Sequence, residues 1–237
     1  FSPRAAMLGI RVMALGNLGR LEEAWSQLRE AEHVAEESRE LEVLGWAKNS
    51  RVTLTYACGG GESVLEHAHR VLEIAEKLDN EASRVTAYQA LGVAYLIEGQ
   101  PAAAREALRE SAAIARDRRT MRSTLAWVLS ELAETHVTLG ERSEAVATAR
   151  EAIDLASAGG CRYYEADAQV ALARALLAAD GALPRAEIEA ARNASEAWER
   201  GGAAQLGALE RSTARQRAAS QDEDKRNDKT FRQPSQV

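Results

Sequence analysis

The chain has 237 residues, 48 of them alanine, with only 16 glycines, 4 prolines and 2 cysteines. Alanine, leucine, arginine and glutamate are strong helix formers, so this composition predicts an all-α fold and excludes a turn-rich β-sandwich. A formal net charge of −6 argues against a general nucleic-acid binder, and no stretch of about 18 apolar residues is present to span a membrane.

In chain order, amphipathic helices are expected at 3–18, 21–38, 42–57, 62–78, 83–98, 101–117, 122–139, 142–158, 163–179 and 184–200. Gly99 and Gly140 suit the left-handed position that follows a helix, and Pro101 and Pro184 suit the first turn of the next one. A repeat of 40–41 residues organises these helices. A glycine is followed five residues later by a small residue at Gly19/Ala24, Gly59/Val64, Gly99/Ala104, Gly140/Ala145 and Gly181/Ala186. Offsets of four, seven and eleven from the small residue then give Leu28, Ala31 and Ala35 in the first copy, and Leu108, Ser111 and Ala115 in the third. Alanine holds the last of these places in every copy, as Ala35, Ala75, Ala115, Ala156 and Ala197. Such offsets trace one stripe of a helix, so Ala115 is expected to be buried where two helices meet.

The helix before each stripe carries a second signal. The third copy reads Tyr88-x-x-Leu91-Gly92-x-x-Tyr95 and the fourth Leu129-x-x-Leu132-Ala133-x-x-His136. The fifth supplies Leu172-Ala173-x-x-Leu176 and the first Leu8-x-x-Arg11-Val12-x-x-Leu15, while the second departs, with Arg51 and Val52 in place of the leucine and the small residue. Taken with Ala104 and Leu108, this helix–turn–helix pattern resembles the tetratricopeptide (TPR) family over about residues 3–201. Copies of 40–41 residues rather than 34 are similar to the repeat regions of large bacterial signalling ATPases, including LuxR-type transcription activators and ATPases attached to nucleotide cyclases. The resemblance implies an all-α, right-handed superhelical solenoid of about five helical hairpins. Residues 1–202 would hold the copies, at about 3–40, 41–80, 81–120, 121–160 and 161–202. A capping helix is expected at 203–219 and a disordered tail at 220–237, whose polar, mixed-charge sequence buries too little to offset its ordering entropy.

Few residues carry a chemical signature. Gly59-Gly60-Gly61 lacks the lysine and spacing of a phosphate cradle and reads as a turn. His67 and His69 stand about 200° apart around one helix and cannot face one metal. His33 is isolated, and His136 takes the Tyr95 column as a packing residue. Cys58 and Cys161 read as small hydrophobes of a reducing compartment. Asn193-Ala194-Ser195 fits a glycosylation sequon but falls within an expected helix. No catalytic constellation, metal site or cofactor site is expected. The opening Phe1-Ser2-Pro3 has no Met and no secretory signal, so the chain is expected to be part of a longer or processed protein, and cytoplasmic.

The remaining expectation is a groove. In TPR-like superhelices the first helix of each hairpin lines the concave side. Projecting Thr86, Gln89 and Val93 of the third copy onto the others gives Trp46, Asn49 and Thr53, then Trp127, Ser130 and Glu134, then Asp167, Val170 and Arg174. Trp46 and Trp127 would be aromatic anchors on one surface, whereas Trp25 and Trp198 are expected to pack between helices. The expected function is a non-catalytic scaffold for a protein or peptide partner, without direct nucleic-acid or membrane binding. The alternative is a sensor region, binding a small-molecule effector, of a larger ATP-dependent transcription regulator or cyclase-linked ATPase.

Overall fold

A computed structural model describes residues 3–38, 40–60, 62–117 and 122–180. The described residues form nine helices: α1 (Pro3–Asn17), α2 (Leu21–Ser38), α3 (Leu41–Ala57), α4 (Leu65–Leu78), α5 (Glu81–Ile97), α6 (Pro101–Arg116), α7 (Arg122–Leu139), α8 (Arg142–Ala158) and α9 (Arg162–Asp180). Each helix packs antiparallel on the next, and odd-numbered helices also meet across the hairpins, α1 on α3, α3 on α5 and α7 on α9. The α5–α7 approach is much looser. The all-α array of sequential hairpins is the architecture of a TPR solenoid. No helix among the described residues is long and apolar enough to cross a membrane. The expected helix at 184–200, the cap at 203–219 and the tail at 220–237 lie outside the described residues.

Local chemistry accounts for the helix ends. The Asn80 side chain accepts a hydrogen bond from the Ser83 backbone N–H at 2.8 Å and caps α5. Pro101 opens α6, where its missing N–H has no partner to lose. Gly99 and Gly140 adopt φ of 67° and 74°, the left-handed turn that lets the chain reverse into the next helix. One helix begins later than expected: α4 starts at Leu65 rather than 62. The preceding turn consumes two left-handed glycines, Gly59 and Gly60, and Val64 offers no side-chain cap.

The stripe on the even helices is the seam of each hairpin. Ala24, Leu28, Ala31 and Ala35, and their counterparts in α4, α6 and α8, are all buried, none more than 3% exposed. The facing helix answers with complementary volume. A Cβ on Gly92 would stand 2.5 Å from Leu108 Cγ, so α5 can lie this close to α6 only because that position lacks a side chain. In the preceding hairpin the sizes are exchanged: Val52 of α3 shares a core cluster with Ala68 of α4. In the fourth, Ala133 packs in one cluster with Ala149. His136 is buried as a packing residue, and its Nδ1 lies 2.5 Å from Glu141 at the start of α8.

Two stability measurements test this seam. Ala115→Glu, placing a charge and excess volume at a 1% exposed position, should cost about 2–4 kcal/mol in denaturant unfolding. Gly92→Val and Leu108→Ala should each destabilise, by about 1–3 and about 2–5 kcal/mol. The double variant, which copies the Val52/Ala68 pairing, should recover about 1–3 kcal/mol of their sum. Strict additivity would mean that the two positions do not fill one space.

Candidate functional site

The odd helices present their free faces to a concave cavity of about 570 Å³. Val12, Met13 and Gly16 come from α1, Thr53 and Tyr56 from α3, Trp127, Glu131 and Glu134 from α7, and Tyr163, Asp167, Val170 and Arg174 from α9. No α5 residue is in this lining. Instead the second and fourth hairpins meet over α5: the Tyr56 hydroxyl donates to Glu134 Oε2 at 2.9 Å, across 78 residues of sequence. Beneath that bridge Gln89 of α5 donates through Nε2 to both oxygens of Glu131, at 2.8 and 3.0 Å. Long polar side chains therefore span the gap that the loose α5–α7 packing leaves.

Part of the wall is aromatic. Trp127 stacks on Tyr164 with centroids 6.1 Å apart and planes 24° apart, and Tyr164 meets Tyr163 at 4.9 Å. Burial beside the acidic residues pushes the Tyr164 hydroxyl up to about 12 and raises Tyr56 further. The acids come from the same two helices, α7 and α9. Burial is the main cause that drives Glu131 well above the usual carboxylate range, with the charges of Asp167 and Glu134 adding to it. Asp167 is pushed up to about 7, mainly by burial and then by Glu134, against the opposing influence of Ser130 and Arg174. Arg174, largely exposed, donates to Glu134 at the rim.

The groove expected from sequence is thus partly assembled in one place. Thr53, Trp127, Glu134, Asp167, Val170 and Arg174 line the same cavity. Asn49, Gln89 and Ser130 are buried behind the lining, no more than 5% exposed. Val93, projected onto the groove, is instead core: it is fully buried in the cluster of Val52, Val64 and Ala68, on the side of α5 that faces α4 and α6. Trp46 and Thr86 line a separate, smaller cavity of about 200 Å³ with Gly45, Ile74 and Leu78. Trp46 is 46% exposed there, so the two tryptophans face different cavities. Tyr56, Glu131 and Tyr163 were not among the expected groove residues. Tyr56 lies three residues beyond Thr53, Glu131 four beyond Trp127, and Tyr163 four before Asp167, so extending each projected face by one turn finds all three. Trp25 is not in this lining and lies half-buried under the Arg51 guanidinium, 5.6 Å from its ring.

The raised Asp167 carboxyl has a measurable consequence. Unfolded, an aspartate titrates near 3.9; folded, this one titrates near 7. Between those values the folded chain holds a proton that the unfolded chain has released, so stability falls as pH rises from about 4 to 7 and is level above that. Asp167→Asn removes this effect. Relative to the unsubstituted chain it should gain about 1–3 kcal/mol on going from pH 4 to pH 8, read from thermal or urea unfolding at both values. An equal difference at the two pH values would mean that Asp167 titrates normally.

Comparison with known proteins bears on the repeat. A tetratricopeptide repeat family model matches residues 85–118, which takes in most of α5, the turn after it and α6. A model for anaphase-promoting complex subunit 5 matches residues 5–57 and 119–160. No curated protein matches the chain. Two crystal structures of nearly identical TPR-like repeats, from a candidate kinesin light chain of Podosopora anserina, share the fold. One is 21% identical, with a TM-score of 0.53, over 90% of this chain and 97% of that one. The other is 20% identical, again with a TM-score of 0.53, over 89% and 96%. These likenesses reach the repeat and not the signalling ATPases of the sequence resemblance. One repeat, residues 85–118, thus matches the tetratricopeptide repeat, and the array shares the fold of TPR-like repeats.

Proposed function

We propose that this chain binds an extended peptide segment of a protein partner in the concave cavity between α1, α3, α7 and α9. One observation carries the reading: residues of four odd helices, α1, α3 and α7 of the first, second and fourth hairpins together with α9, converge on a single cavity of about 570 Å³. That volume falls within the range of small-ligand sites, and its walls combine aromatic rings, carboxylates, a hydroxyl and a guanidinium. Stacked helices hold these groups rigidly, which lowers the entropy lost on binding. The Tyr56–Glu134 hydrogen bond ties two hairpins together across the cavity, so its shape is set before a partner arrives.

A displayed library of random peptides, selected on the full chain, tests this reading. Trp127→Ala should weaken the selected peptides by about 2 kcal/mol, the level of an aromatic hot spot. Val170→Trp, which fills the cavity from α9 without touching the hairpin seams, should abolish binding. Trp46→Ala, in the other cavity, should leave binding within about twofold. Selected peptides indifferent to both Trp127→Ala and Val170→Trp would place the binding surface elsewhere.

A further inference from the structure

The cavity holds three carboxylates, Glu131, Glu134 and Asp167, against one guanidinium. Arg174, the one cation of the lining, is largely exposed and is spent on Glu134. Glu131 is 4% exposed, and its carboxylate has only the Gln89 amide as a partner among the described residues. Asp167 has no ion pair there among the described residues either. A buried carboxylate without a cation is costly to keep. The polar groups behind the lining have the same bias. Gln89, 1% exposed, spends its N–H group on Glu131 and leaves Oε1 with no partner among the described residues. Asn49, at the matching position one repeat earlier, buries an Oδ1 that is likewise unpartnered. Both orphan atoms are acceptors. The carboxylates of the lining outnumber its one cation, and the aromatic rings of Trp127 and Tyr163 share their helices with the acids.

Resting on the reading of this cavity as a peptide site, we infer that it takes an arginine side chain of the partner peptide, with the guanidinium held by Asp167 and Glu131 and lying against the Trp127–Tyr163 wall. A guanidinium supplies five donors in a planar fork, matches carboxylates with paired hydrogen bonds and stacks on aromatic rings. The chain uses this chemistry once already: Arg51 bonds Glu32 at 2.7 and 2.9 Å and Glu62 at 3.0 Å while lying over the Trp25 ring. Arg174 on Glu134 shows that the cavity rim itself seats a guanidinium. A metal ion is a poorer match, because among the described residues no three potential ligands are grouped closely enough to hold one.

The test uses the full chain and two fluorescein-labelled pools of octapeptides with randomised flanks, one with a fixed central arginine and the other with citrulline, its neutral isostere. Fluorescence anisotropy should show saturable binding of the arginine pool, at least tenfold tighter than the citrulline pool and weakening as NaCl rises from about 0.05 to 0.5 M. Asp167→Asn and Glu131→Gln should each weaken arginine binding at least tenfold, with circular dichroism confirming the fold. Arg174→Ala should tighten it about threefold or more, by releasing Glu134 and removing a like charge; a folding defect would not produce that gain. Arginine and citrulline pools binding equally, both lost in Val170→Trp, would overturn the cation assignment and leave the peptide groove standing. Arginine binding that survives both carboxylate substitutions unchanged would also overturn it. No binding by either pool, together with no library peptide sensitive to Val170→Trp, would overturn both readings.

Discussion

The close approach of the two helices within each hairpin governs the rest of the molecule. With few large side chains to fill a thick core, the chain brings its helices together on alanine, and each seam is matched in volume against its partner. Gly92 makes room for Leu108, while Val52 stands near Ala68. Interiors packed this tightly leave little freedom for sliding or rotation, so the relation of one hairpin to the next is fixed. That rigidity decides which faces of the odd helices remain free. Side chains one turn apart on those faces, such as Trp127, Glu131 and Glu134, are delivered to a common cavity because the stripe on the facing helix has already fixed how the hairpin lies.

The seams do not close every gap. Where α5 and α7 draw apart, the space is bridged by Gln89 and Glu131 and spanned above by Tyr56 and Glu134. These are long polar side chains doing what apolar packing does elsewhere in the array. The substitution has an electrostatic cost, since it places Glu131 out of water, and that cost falls at the floor of the cavity. The looser packing and the unusual acidity are therefore one feature of the fold viewed from two directions.

Repeat period, helix positions and buried stripe were all legible in the sequence, because each depends on periodic local patterns that recur copy after copy. Eight of the nine described helices begin within two residues of their expected starts; α4 differs because two left-handed glycines lengthen its turn. The cavity was legible only in part. A projection from the third hairpin treats all copies as equivalent, but α5 is the odd helix that the cavity lining bypasses. For that reason Val93 fell in the core and Thr86 in the smaller cavity, while Thr53, Trp127, Glu134, Asp167 and Arg174 fell together. The contact of Tyr56 with Glu134 joins residues 78 positions apart. It depends on how curvature accumulates over three hairpins, and no local pattern encodes that sum.

The treatment of charge differs between the two sides of the array. Around α2 and α3, Glu32 is a mostly buried carboxylate, and although burial works against it, the Arg51 and Lys48 cations hold it below the usual range. At the α7–α8 turn, Glu141 receives both His136 and Arg105. In the cavity Glu131 and Asp167 have no ion-pair partner among the described residues, and both are driven upward by burial first, then Glu131 by Asp167 and Glu134, and Asp167 by Glu134. Neutral residues of similar size would stabilise the same positions, since an unpaired buried charge is among the more destabilising things a fold can carry. Elsewhere the chain sets close cations against such acids, whereas Glu131 has none and Asp167 feels only Arg174, which is bonded to Glu134. A positive group arriving from a partner supplies the missing half of an arrangement that Arg51, Glu32 and Trp25 complete within the chain itself.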